Sequence, residues 1–234
     1  MLRTGMIALI SQRPLSTRSG RPRSCQCLPK AVGRKAPICG RKLRPLEEFA
    51  EGHMSNGRVV SVACDGAHRF SKRAVPTIEV AAGLGVKGDA HEGVMVKHRS
   101  RVAVDPSQPN LRQVHLIHAE LFEELALKGF SVGPADLGEN ITTCGIDLLT
   151  LPRHTLILIG HDVRLEVTGL RNPCAQIERF KSGLLAAVLD RGPNNELIRK
   201  AGIMSIVKGG GVVRPGDQIH IEMPPQPHFP LERV

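Results

Sequence analysis

From Gly57 onward the apolar residues of this chain come in short runs of four to seven, rich in valine and isoleucine and cut apart by glycine, proline and aspartate. Runs of that length suit strands, and few are long enough for a stable helix. Gly57 to Ala63, with Val59, Val60 and Val62, predicts a first strand. Thr77 to Ala82 predicts a second, with Pro76 set just before it, where a missing amide hydrogen does least harm. Val114 to Ile117 predicts a strand leading into a helix with Leu121, Phe122 and Leu125 on one face, a Glu124–Lys128 i,i+4 pair, and Gly129 as its stop. Leu156 to Ile159 and Val163 to Thr168 flank Gly160-His161-Asp162 and read as a hairpin. Ala175 to Phe180, Ser182 to Leu189 and Asn195 to Lys200 read as short helices, the last closed by Gly202. Ile203 to Val207 and Gln218 to Ile221 supply closing strands, the latter after the turn Pro215-Gly216-Asp217. Many short strands with a few inserted helices predict a β-rich α+β domain of barrel-like form, without internal repeats.

Residues 1 to 53 are a different kind of sequence. They are rich in Arg, Pro, Ser and Gly, hold no acid before Glu47, and show no sustained period, so disorder is expected there. Three origins stay open: a mitochondrial transit peptide, a mis-called start with the protein beginning at Met54, or an artificial junction at His53-Met54. The organised pattern that begins directly after Met54 favours a start there, and with it a cytoplasmic protein whose domain is residues 54 to 234. Charge follows the same division. Of 32 Lys and Arg, eleven lie in residues 1 to 53 against three acids, which leaves 21 against 19 for the rest. With a core that near neutrality, no Trp or Tyr and six Phe, nucleic-acid binding by the core is not expected. Met6 to Ile10 falls far short of the roughly 20 residues that a spanning helix needs, so no membrane partner is expected.

The six cysteines, at 25, 27, 39, 64, 144 and 174, are too sparse for a disulfide scaffold and include no C-x-x-C pair. Gly83-Leu84-Gly85-Val86-Lys87-Gly88 fits G-x-G-x-x-G, but Gly93, Val94 and Val96 follow where a phosphate-binding helix should begin. The glycines are better read as a tight turn that presents Asp89 and His91 on a loop. Lys97-His98-Arg99 adds cationic groups nearby. His115 and His118, three apart, are a possible ligand pair, with a structural role weighing more heavily. Gly138-Glu139-Asn140 places a carboxylate and an amide against the apolar Ile141. In Arg171-Asn172-Pro173-Cys174 a thiol sits at the expected start of a helix with an arginine close by, a setting that favours thiolate. A buried, inert cysteine is the competing reading. Cys64 and Cys144 lack such surroundings and are assigned to packing.

Read in order, Gly88-Asp89-Ala90-His91, Lys97-His98-Arg99, Asn110-Leu111-Arg112-Gln113-Val114, Gly138-Glu139-Asn140-Ile141, Arg171-Asn172-Pro173-Cys174-Ala175-Gln176-Ile177 and Arg214-Pro215-Gly216-Asp217 resemble the stand-alone MOSC family, over about residues 57 to 223. The family is named for the C-terminal domain of molybdenum cofactor sulfurases. The resemblance implies a β-barrel-like fold with a cysteine in its pocket, which here is Cys174. It further implies one of two tasks. Either Cys174 ligates the molybdenum of a bound molybdenum cofactor (molybdopterin) in a reductase of N-hydroxylated bases, or it carries a persulfide in sulfur or cofactor transfer. In the first case Arg171, Lys97 and His98 would meet the pterin phosphate, while Asp89, His91, Glu139, Asn140 and Asn172 would complete the pocket. Unlike the larger sulfurases, the chain has no room for a pyridoxal-phosphate domain, so no such site is expected. No flavin or iron–sulfur motif is visible, so a small-molecule substrate would be served by a separate electron donor or sulfur donor. A third reading makes the fold a scaffold for a protein that binds through its basic leader.

Overall fold

A computed structural model of the chain describes residues 57–234, so the predicted leader lies outside the described residues. In chain order the first half contains β1 (Gly57–Cys64), β2 (Arg73–Val75), β3 (Ile78–Ala81), β4 (Gly85–Val86), the short helix α1 (Arg99–Val102), β5 (Val114–His118), α2 (Glu120–Leu127) and β6 (Ile141–Cys144). The second half adds β7 (Leu156–Ile159), β8 (Val163–Leu170), α3 (Ala175–Phe180), α4 (Leu184–Ala187), β9 (Leu189–Arg191), β10 (Leu197–Arg199), β11 (Ile203–Gly209), β12 (Gly211–Val213) and β13 (Gln218–Glu222).

Seven strands close into a barrel in the order β13, β7, β8, β11, β5, β6, β1 and back to β13, with β2 added to the end of β1. A ring of seven cannot close if every neighbour is antiparallel. Here β5 and β6 run parallel, with Leu116 opposite Ile141, and the other six pairings of the ring are antiparallel. A parallel pair needs a crossover, and α2 supplies it. Val59, Leu116, Ile141, Ile157, Leu165, Val167, Ile203 and Ile219 fill the barrel interior. Outside it, a second cluster joins Ile117 of β5 to Leu121, Phe122 and Leu125 of α2, Ile177 of α3 and Leu184 of α4. β5 is therefore buried on both faces, with Val114 and Leu116 pointing in and His115 and Ile117 pointing out.

The predicted helix Ser182 to Leu189 shortens to α4. The helix predicted over Asn195 to Lys200 is not formed, because this segment becomes β10, antiparallel to β9. The turn chemistry before it decides the matter: Gly192 N–H donates to Glu196 O, and Asn195 takes φ +63° while its own N–H donates back to Gly192 O. That tight turn after Pro193 returns the chain as a hairpin, and six residues with two apolar side chains carry too little helix stability to compete. The glycine-rich segment turns between β3 and β4, and Gly88, at φ +76°, leads into the loop that carries Asp89 and His91. No helix follows it before α1, so the phosphate-binding alternative has no structural counterpart. Among the described residues no helix is long and apolar enough to cross a membrane.

Candidate functional site

A cleft of about 760 Å³ lies against the outer face of the barrel. Its floor includes His115 of β5 and Met204 of β11, the outward-pointing residues of neighbouring strands. The walls come from 68–72, 91–101, 137–140, 170–176 and the C-terminal 231–233, with Arg112 and Arg199 added from two further points of the chain.

Cys174 sits at the N-terminal edge of α3 in extended conformation, its carbonyl accepting from Ile177 N–H at 2.9 Å. The helix is held by Ile177, which is wholly buried among the residues of the outer cluster. The thiol is half-buried, 3.5 Å from Gln176 Oε1, and on the cleft wall. Arg171 precedes it, fixed at its backbone by donation to Gly202 O at 3.0 Å. Its guanidinium lies 5.9 Å from the centre of the Phe70 ring, and Nη1 is buried with no hydrogen-bond partner among the described residues. Burial pulls its pKa down, and the charges of Cys174 and Glu139 act against that pull. Arg112 lies in the same field and is pushed down to about 10, by burial first and then by Arg101 and Arg171. Among the described residues seven Lys or Arg side chains line the cleft, against one carboxylate, that of Glu232. A nearly neutral domain has thus gathered its positive charge in one concavity.

Behind the wall that holds His91, a buried carboxylate organises the polar groups. Asp89 accepts from Lys72 Nζ, from Asn140 Nδ2 at 3.0 Å and from His91 N–H at 3.0 Å, and its Oδ1 lies 3.1 Å from His91 Nδ1. Burial acts to raise its pKa, but the hydrogen bonds from His91 and the Lys72 ammonium outweigh it and hold the carboxyl well below its ordinary range. Asn140 also accepts from His115 N–H at 3.2 Å and donates to Ala63 O, which ties this cluster to β5 and β1. Asn110 Nδ2 donates to the carbonyls of His91 and Gly93 and so pins the loop between them. His98 is pushed down to about 4, chiefly by burial and then by Arg112 and other cations. His115, fully buried with Nε2 2.8 Å from Ala201 O, is lowered for the same first reason.

The residues predicted from sequence divide into three groups. Cys174, Arg171, Asn172, Asn140, His91 and His98 line one cleft together. Asp89 and Glu139 stand behind it: Glu139 is wholly buried, its Oε1 accepts from Ala135 N–H and Thr142 Oγ1, and burial raises its pKa. Lys97 is exposed, lies over Gly93 and is not in the lining. His115 and His118 fall on opposite faces of β5 and do not converge. Cys144 is buried, and Cys64 packs against the barrel core with its thiol raised chiefly by burial.

Sequence reasoning gave no role to Lys72, Arg112 or Arg101, and none to the C-terminal segment. That segment runs beside β8, where Leu170 N–H donates to Glu232 O at 2.7 Å, and it brings Leu231, Glu232 and Arg233 to the cleft. Arg112 could have been found, since it lies inside one of the recognisable motifs. Lys72 and the tail carry no local signal. Among the described residues no three His, Cys, Asp or Glu side chains are grouped to hold a metal ion.

With this geometry in view, known proteins supply a frame. A family model described as the MOSC domain matches residues 103–220. Among solved structures, the YuaD protein from Bacillus subtilis is similar at 23% identity and TM-score 0.62, over 74% of this chain and 99% of that one. YiiM from Geobacillus stearothermophilus is similar at 15% identity and TM-score 0.52, over 74% of this chain and 79% of that one. No curated protein matches the sequence. Because the family model spans half of the chain and these structures share its fold, this chain belongs to the MOSC domain family.

Proposed function

We propose that the cleft binds the molybdenum cofactor, with Cys174 as the protein ligand to the metal, and that the protein reduces N-hydroxylated bases with electrons from a separate donor. The observation that carries this reading is Arg171: a guanidinium on the cleft wall whose Nη1 is buried without a partner among the described residues, close in sequence to the cysteine, in a cleft dominated by cations. A buried charge without a partner is costly, and an anionic ligand removes the cost. The residues present fit the group. Arg171 and Arg112 would take the pterin phosphate by paired N–H donation, with His98 as a neutral hydrogen-bonding neighbour. Lys97, outside the lining, would not. A metal held at Cys174 would need to bring most of its ligands with it, as a metal chelated by a pterin does, because no grouped set of metal-binding side chains surrounds the thiol. When bound, the cofactor supplies two-electron redox exchange at a site open to a small substrate. The chain's own part is to hold the anion with arginine, position the thiolate, and offer hydrogen-bonding imidazole and amide groups to the substrate.

The protein from a cofactor-producing host, supplied with a chemically reduced viologen dye, should reduce an N-hydroxylated amidine to the amidine, and Cys174→Ser should lower the rate by a factor on the order of 10² or more. Equal turnover by wild type and Cys174→Ser, or none by the cofactor-loaded wild type, would contradict the proposal. A second reading, persulfide carriage, has one feature in its favour: the thiol is half-buried on an open wall where a sulfur donor can reach it. Its mark would be the gain of one sulfur atom at Cys174 after incubation with a cysteine desulfurase and cysteine.

A further inference from the structure

Three imidazoles stand in series along the cleft: the ring centres of His68 and His91 are 5.4 Å apart, and those of His91 and His98 are 6.2 Å apart. The middle ring is held by a carboxylate. Asp89 Oδ1 is 3.1 Å from His91 Nδ1, and the Asp89 side chain is 1% exposed while that of His91 is 29% exposed. Asp89 is itself fixed from behind by Lys72 and Asn140, so it is an ionised acceptor that cannot turn away. An ionised acceptor at Nδ1 requires a hydrogen on Nδ1. That leaves Nε2 as the position where His91 exchanges protons, and the structure gives it no hydrogen-bond partner among the described residues. The side chain lies on the cleft wall together with Cys174.

We propose that His91 is the general acid of the site and that Asp89 is its positioning residue. The inference rests on the reductase reading above and names the proton donor that such a reaction requires. Reduction of an N-hydroxylated base breaks the N–O bond with two electrons from the separate donor and consumes two protons, giving the N–H base and water. The imidazolium of His91 gives its Nε2 proton to the departing oxygen, which leaves as water. The ring is left neutral with Nδ1–H still on Asp89, and water in the cleft reprotonates it. The second proton, for the substrate nitrogen, also comes from water. The neighbouring titratable and charged groups are Asp89, with Lys72 behind it, His68 and His98 on either side, and Arg112 and Arg171 beyond His98. His98 is neutral above about pH 4 and stands as a hydrogen-bonding neighbour, not as a second acid.

The test uses the full chain, loaded with cofactor, an N-hydroxylated amidine and reduced viologen. His91→Gln keeps a hydrogen-bonding side chain at a partly exposed position and is expected to lower kcat by a factor of about 10² to 10³ with KM within about threefold. It should also remove the limb of the wild-type pH profile that falls as pH rises, and added imidazole should restore part of the rate to His91→Gly. Independently of turnover, nitrogen NMR of the ligand-free protein should show neutral His91 with its hydrogen on Nδ1. Asp89→Asn, which removes the ionised acceptor at Nδ1, should shift the neutral ring toward the form with its hydrogen on Nε2 in the same spectra. Wild-type kcat and pH profile in His91→Gln would overturn the proposal, and so would neutral His91 with its hydrogen on Nε2. If the loaded wild type itself does not turn over, the reductase reading fails and takes this proposal with it, an outcome distinct from an active wild type beside an equally active variant.

Discussion

Arg171 holds its charge on the cleft wall with Nη1 buried and without a partner among the described residues, an electrostatic cost to the ligand-free protein that an anionic ligand should relieve. Arg171→Met keeps the packing against Phe70 and removes the buried charge. Ligand-free Arg171→Met should therefore be as stable as wild type or about 1 kcal/mol more stable. The same variant should lose the rise in Tm that pyrophosphate gives wild type. A less stable variant, or one that keeps the pyrophosphate effect, would contradict this account. His98 makes a prediction of a different kind. Its pKa in the folded chain is about 4 against an ordinary 6.5, so between those values the unfolded chain binds a proton that the folded chain refuses. The stability due to neutral His98 is complete above about pH 6.5 and lost as pH falls toward 4. Because the ring is only partly buried, this amounts to roughly 1–2 kcal/mol after allowance for solvent screening. His115 acts in the same direction. His98→Gln should flatten the fall in stability across that window, as read from urea unfolding at a series of pH values, and an unchanged slope would count against it.

Where local pattern and burial agree, elements could be read before the fold was known. The β5–α2 unit is one: Leu121, Phe122 and Leu125 are buried as the helical spacing requires, and Glu124 Oε1 lies 2.6 Å from Lys128 Nζ. The hairpin of β7 and β8 is another, with Ile159 opposite Val163 across the expected turn. β9 and β10 were not legible, because a short segment with two apolar residues is decided by the turn before it and by pairing, not by its own periodicity. Gly202 was read as a helix stop. It adopts φ +89°, as a stop would, but its role is a close approach between elements: a Cβ there would lie 2.1 Å from Leu116 O, and its own carbonyl accepts from Arg171 N–H. Gly202→Ala should destabilise the protein by about 2–4 kcal/mol, since backbone strain and a clash with an immovable carbonyl act together. A loss under about 0.5 kcal/mol in urea unfolding would show that β11 and β5 are less tightly apposed than described.

At the scale of the whole molecule, barrel closure and the cleft depend on contacts between distant parts of the chain. Alternation predicted strands, but not that β1 would close on β13, nor that β5 and β6 would run parallel so that seven strands form a ring. The site was legible where its residues fall within motifs, as Cys174, Arg171, Asn140, His91 and His98 do. It was illegible where they arrive from elsewhere: Lys72 comes from the loop before β2, and Arg233 from a tail that pairs with the end of β8. The cationic character of the cleft was also hidden, because the domain's total charge is small and only folding concentrates it. The central claim is that this concavity holds an anionic molybdenum cofactor through Arg171 and Cys174. It is tested most directly by the molybdenum and pterin content of the protein purified from a cofactor-producing host, beside Cys174→Ser prepared identically. The account predicts near-stoichiometric molybdenum and pterin in the first and a large loss of molybdenum in the second. Wild-type protein free of both would contradict it.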